Sequence, residues 1–193
     1  MRVLGILGSP RKEGNTDILL QELLKGARSK GARTEEIYLP GMNFKGCIEC
    51  GGCNKTGICI LKDDMTPIYA KLRSADIVIL ASPIFFAGVT AQLKAMIDRC
   101  QSEWVAKYVL KKRKTQYAIR NAKGVFICVG GFKKDIFFQS AKKTVEVFFR
   151  TLNIDFKDEL FFGAVEKAGD IKNVKGALEK AYKLGVKLAG AKR

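Results

Sequence analysis

Histidine is absent from this 193-residue chain. That removes a Ser-His-Asp triad and His-ligated zinc catalysis from consideration. Acidic residues are scarce beside basic ones: 19 Asp and Glu stand against 35 Lys and Arg, for a formal charge of +16. No apolar run approaches the roughly 20 residues needed to cross a bilayer. The start, Met1 to Leu7, lacks the longer apolar region and small-residue cleavage site of a signal peptide, and reads as a short buried strand. A cytoplasmic protein with no membrane partner is expected. No internal repeat, low-complexity segment or linker breaks the chain, whose length suits one domain with a sizeable core.

The positive balance invites a nucleic-acid reading, because a basic footprint is its usual first sign. The basic residues are spread, however, from Arg11 and Lys12 through Lys25, Arg28 and Lys30 to Lys187, Lys192 and Arg193. Only Lys107 to Lys123 is dense, centred on Lys111, Lys112, Arg113 and Lys114. A solvated basic face explains this better than a nucleic-acid site. A surface that attracts an acidic protein or an anionic cofactor is a third reading.

Short apolar strands alternate with longer amphipathic stretches. Strands are expected at Arg2 to Leu7, Thr34 to Leu39, Asp76 to Ala81, Lys123 to Val129 and Asp158 to Val165. Helices are expected at Thr16 to Lys30, Asp64 to Ser74, Thr90 to Gln101, Lys134 to Leu152 and Asp170 to Ala189. Ile18, Leu19, Leu23 and Ala27 recur at helical spacing, and Pro40-Gly41 ends the second strand. Five strands separated by helices argue for a doubly wound α/β domain. Glu103 to Ala122 gives no clear pattern.

The turn after the first strand is Gly8-Ser9-Pro10-Arg11-Lys12-Glu13-Gly14-Asn15-Thr16, and it opens a helix. Such a turn can hold a phosphate, because N–H groups at a helix start point at the anion and the helix dipole favours its charge. The hydroxyls of Ser9 and Thr16, the Asn15 amide and the Arg11 guanidinium can add hydrogen bonds. It is not a Walker A loop: five residues separate Gly8 from Gly14, and Asn15 stands where lysine is required. The G-x-G-x-x-G fingerprint is also missing there. A loop in which Thr16 merely caps the helix is the bland alternative.

Gly8-Ser9-Pro10-Arg11 with Gly14-Asn15-Thr16 resembles the NADPH-dependent FMN reductase group of the flavodoxin-like superfamily. Further segments carry the same likeness: Ala81 to Gly88, Ala91 to Ala95, Ile97-Asp98-Arg99, and Gly130-Gly131. The resemblance covers roughly residues 1 to 150 and implies a flavodoxin-like five-stranded parallel sheet, order 2-1-3-4-5, with helices on both faces. It implies one FMN-binding domain over residues 1–193, carrying a cysteine-rich loop at about 43–62. By resemblance, Ser9, Arg11, Asn15 and Thr16 hold the FMN phosphate. Pro83, Ile84, Phe85, Phe86 and Gly88 border the ring, with Gly130 and Gly131 on its far side. The loop position supports this, since ligands of open α/β sheets sit beyond the carboxyl ends of strands. A flavin ring needs apolar surface and close backbone approach, which Phe85, Phe86 and Gly88 can give; the two phenylalanines as core residues is the alternative. The family often has tyrosine where this chain has Phe85, so a hydroxyl is missing. Asp98 and Arg99 are read as a structural ion pair. No side chain is assigned a catalytic role, because the flavin performs the redox chemistry.

Four of the six cysteines, Cys47, Cys50, Cys53 and Cys59, follow the spacing C-x2-C-x2-C-x5-C. Cys100 and Cys128 stand alone in apolar surroundings and are read as packing residues. In a reducing compartment a tight group points to a metal or redox site rather than disulfides. The run is close to that of bacterial ferredoxins, whose last gap is three residues with a proline following. A [4Fe–4S] cubane, a structural zinc and unmetallated thiols all remain open on the residues alone. In a flavodoxin-like chain this spacing resembles the iron-sulfur flavoproteins, as does the Asp63-Asp64-Met65 that follows. That resemblance implies FMN, a [4Fe–4S] cluster on the four cysteines, and a homodimer or homotetramer. It implies electron transfer between a one-electron carrier such as ferredoxin and an acceptor. The alternative is a NAD(P)H-dependent FMN or quinone reductase without a cluster. A non-enzymatic basic interaction module is the third reading, and it predicts salt-sensitive binding that survives loss of FMN.

Overall fold

The computed structural model describes residues 1–112 and 122–190. Its strands are β1 (Arg2–Leu7), β2 (Arg33–Tyr38), β3 (Ile77–Pro83), β4 (Ala122–Val129) and β5 (Ile154–Phe162). They pair in parallel in the order β2-β1-β3-β4-β5, the flavodoxin-like order. The helices are α1 (Asn15–Arg28), α2 (Met65–Ser74), α3 (Ala91–Arg99), the short α4 (Gln101–Trp104), α5 (Ile136–Thr151) and α6 (Ala177–Gly190).

Successive strand residues point to opposite faces, and this divides the core into two layers. Leu4, Ile6, Val78, Leu80, Phe126 and Cys128 pack under α2, α3 and α5. Val3, Leu7, Ile77, Ile79, Val125 and Ile127 pack under α1 and α6. Strands covered on both faces must be apolar throughout, so β3 and β4 read as continuous runs rather than alternating ones. On α1 the stripe Leu19, Leu20, Leu23, Leu24 and Ala27 is buried, as its spacing requires. Cys100 and Cys128 are buried, and burial pushes both thiols up from their ordinary pKa.

Two elements differ from the sequence expectation. β5 begins at Ile154, not Asp158, because it is the edge strand: Asp155, Lys157 and Asp158 face solvent or ion-pair beside it. The closing helix begins at Ala177, not Asp170. Gly176 has φ +75, which a right-handed helix does not accommodate, and Asp170–Asn173 forms a separate 3-10 turn. In the unreadable stretch, α4 leads into a π-helical turn at Val105–Val109. Arg113 and Lys114, at the centre of the dense basic run, lie outside the described residues. Among the described residues, no helix is long and apolar enough to cross a membrane.

Candidate functional site

At the carboxyl ends of β1, β3 and β4 the chain leaves a cleft of about 400 Å³. Ser9, Arg11, Asn15 and Thr16 line one end of it, and Pro83, Ile84, Phe85, Gly130 and Gly131 the other. At the first end α1 begins. A helix start leaves N–H groups without internal partners. Among the described residues, those of Asn15 and Thr16 find no backbone acceptor, and Gly14 at the N-cap supplies no side chain. The Ser9 hydroxyl accepts from Arg11 N at 3.2 Å and so sets the turn. Asn15 lines the cleft and also ties the turn to the rest of the fold. Its Nδ2 donates to Lys167 O at 2.8 Å and its Oδ1 accepts from Ile171 N at 3.2 Å, latching the turn to the segment after β5. Arg11 reaches the same segment, at Glu166 O.

The apolar end is fixed by backbone bonds. Ile84 N donates to Val129 O and Gly130 N to Phe162 O, so the loops after β3 and β4 are fastened to neighbouring strands. Buried Ser82 and Thr90 tie the two halves together. Ser82 Oγ accepts from Thr90 N, and Thr90 Oγ1 donates to Gly8 O at 2.7 Å. Phe86 and Gly88 do not line the cleft. Phe85 and Gly88 exchange both backbone hydrogen bonds at 3.0 Å, closing a two-residue hairpin over Phe86 and Ala87. Both tip residues have positive φ, at 48° and 61°, and the turn carries the Phe86 side chain fully into solvent. Sequence reasoning missed Phe132, Val165, Glu166 and Ala168 in the cleft wall. Only Phe132 had a signal, its place directly after Gly130-Gly131.

FMN suits this cleft. The free helix-start N–H groups and Arg11 match a phosphate, and Pro83, Ile84, Phe85, Val129 and Phe132 offer apolar surface to a flat ring.

A second hollow, of about 240 Å³, is lined by Cys47, Cys50, Cys53 and Cys59 together with Arg99, Gln101 and Ser102. The loop reaches it through tight turns. Gly57, at φ +70, lies against Ala106 so closely that a Cβ would stand 2.7 Å from the Ala106 methyl. Burial is the first cause raising the Cys53 thiol, and the neighbouring thiols add to it. Among the described residues, no three Cys, Asp or Glu side chains stand close enough to hold one ion. As a donor set, four thiols lining one hollow are of the type that iron-sulfur centres use.

Arg99 is 1% exposed and closes one wall of this hollow. It pairs with Asp63, not with Asp98 as expected: Nη1 lies 2.6 Å from Asp63 Oδ2 and Nη2 3.1 Å from Oδ1. Adjacent residues of a helix point away from each other, so Asp98 pairs with Lys94 one turn back. Nη1 also donates to Lys45 O at 2.9 Å, and Nη2 approaches Cys59 Sγ at 3.5 Å. α3 joins the two sites. Thr90 caps it beside the cleft, and Arg99 ends it at the cysteine hollow.

Residues 1–133 match the family described as NADPH-dependent FMN reductase. An iron-sulfur flavoprotein of Methanocaldococcus jannaschii is 34% identical over 98% of this chain and 96% of its own length. One from Methanosarcina thermophila is 36% identical over 68% of this chain and 64% of its own. Among solved structures, a NAD(P)H:quinone oxidoreductase from Methanothermobacter marburgensis shares the fold at TM-score 0.71 and 19% identity, over 100% of this chain and 99% of that one. The chain belongs to the NADPH-dependent FMN reductase family, within its iron-sulfur flavoproteins.

Proposed function

We propose that this FMN-dependent oxidoreductase carries electrons between a one-electron donor protein, such as a ferredoxin, and an acceptor, using FMN in the cleft and a [4Fe–4S] centre on Cys47, Cys50, Cys53 and Cys59. The observation that carries this reading is that four thiols ring one hollow at one end of α3 while the flavin-type cleft opens at the other. The helix is nine residues long, a spacing of roughly 13 Å at 1.5 Å per residue. Bound there, the centre supplies one-electron chemistry and FMN both one- and two-electron chemistry.

The chain's own residues position rather than react. The α1 N–H groups, Ser9, Arg11 and Thr16 bind phosphate. Asn15 holds that loop against the segment after β5. Pro83, Ile84, Phe85, Gly130 and Gly131 border the ring, and Phe86 at the hairpin tip is exposed. A homodimer or homotetramer is part of the proposal. The groove between α3 and α5, where Trp104 and Val147 are exposed, supports it.

Anaerobic purification with assays for FMN, iron and sulfide tests the reading. The expected result is one FMN and about four iron and four sulfide per chain. Cys50→Ser should then lose the iron and keep the flavin. Flavin without iron in the wild type would favour a NAD(P)H-dependent FMN or quinone reductase instead.

A further inference from the structure

Arg99 is a large cation buried at the inner wall of the cysteine hollow. Burying a charge is unfavourable unless it is paired and hydrogen-bonded. Asp63 provides one partner and Lys45 O another, yet Nε has no acceptor among the described residues. An unmet buried N–H of this kind is unfavourable. The side chain lines the cavity, and its Nη2 approaches the Cys59 sulfur. A guanidinium in the wall, with Nη2 directed at the Cys59 sulfur, favours a negatively charged occupant of the hollow.

We propose that Arg99 is the positioning residue of the iron-sulfur centre and raises its reduction potential, with Asp63 as the counter-charge that moderates it. This rests on the cluster reading given above. Reduction adds one electron, and so one negative charge, to a centre already surrounded by four thiolates, with no bond made or broken. A fixed guanidinium donating to the Cys59 sulfur favours that added charge. Hydrogen bonds to ligand sulfurs and local charge are both known levers on such potentials. Asp63, gripping the same guanidinium from the other side, offsets part of its charge.

The pair makes opposite-sign predictions that a merely structural role does not. In the anaerobic protein, iron and FMN are assayed first, and the midpoint potential of the iron-sulfur centre is then titrated with EPR detection. Arg99→Gln should make reduction at least tenfold less favourable, a fall of about 59 mV for a one-electron couple. Asp63→Asn should shift the potential upward. Arg99→Lys, which keeps the charge but not the fork, should fall between Arg99→Gln and the wild type. If Arg99→Gln holds no iron, the Asp63→Asn and Arg99→Lys shifts decide the matter by their signs. An unchanged potential in Arg99→Gln, or shifts of one sign in Arg99→Gln and Asp63→Asn alike, would overturn the proposal. Wild-type protein with FMN and no iron would instead overturn the cluster reading, and this inference with it.

Discussion

At the residue scale, the Asp63–Arg99 pair also gives the chain a pH dependence. The hydrogen bond from Arg99 holds the Asp63 carboxyl below the ordinary carboxylate range, against the opposing effect of burial. A depressed folded pKa contributes stability that is complete above the unfolded value, near 3.9, and is lost as pH falls through the lower folded value. Asp63→Asn leaves a buried guanidinium uncompensated, so at neutral pH it should destabilise the chain by roughly 3–5 kcal/mol. That gap should narrow below about pH 4, where Asp63 of the unfolded chain takes up a proton, and close only as pH falls through the lower folded value. Denaturant titrations followed by fluorescence of Trp104, the single tryptophan, measure the gap directly. A gap that stayed constant into the acid range would show that Asp63 is not the titrating partner. This pair was invisible in sequence because its members are 36 positions apart, and the adjacent Asp98 offered a false partner. Asn15 was legible by type and place as a candidate, and it lines the cleft. Its latch to Lys167 and Ile171 was not, because those residues reach it only through the fold.

At the element scale, what could be read was what periodicity encodes. β1, β3 and β4 are apolar throughout because helices cover both faces, and α1 shows its buried stripe; all four were legible within a residue or two. β5 and α6 were displaced because an edge strand mixes charge into its run and Gly176 ends what composition alone would continue. Glycine was hardest to interpret where it serves packing rather than turning. α1 and α6 cross so closely that a Cβ on Gly185 would stand 2.0 Å from Leu23 O, and one on Gly26 2.1 Å from Tyr182 O. Backbone oxygens in a helix cannot step aside, so the helices themselves must separate. Alanine gains up to about 1 kcal/mol over glycine in a helix interior. Overpacking costs about 1–3 kcal/mol, and more against rigid atoms. Gly185→Ala should therefore lower stability by about 2 kcal/mol in urea denaturation. A neutral or stabilising outcome would mean that the crossing is looser than these contacts imply.

At the scale of the whole molecule, the sign of the field was plain from composition, but its source becomes visible only in the structure. Much of the acidic complement is already occupied: Glu159 pairs with Lys142, Asp158 with Lys187, Asp98 with Lys94 and Glu35 with Lys71. The excess that makes the charge +16 has no acidic counterpart in the sequence to balance it. Part of it borders the cysteine loop, where Lys112 donates to Thr56 O and where Ile48, Ile58 and Ile60 are exposed. An acidic electron carrier approaching that face would be steered by long-range attraction, which raises association rates by about 10–1,000-fold at low salt. Added salt shortens the reach of the field from about 30 Å at 0.01 M to about 8 Å at 0.15 M. The second-order rate of reduction by an acidic ferredoxin should accordingly fall at least about tenfold across that interval, while reduction by a neutral small reductant stays level. Stopped-flow measurement with both donors separates the two cases. If the ferredoxin rate were as flat as that of the neutral reductant, the basic surface would have no part in docking the donor, and its charge would serve only to keep copies of the chain apart in solution.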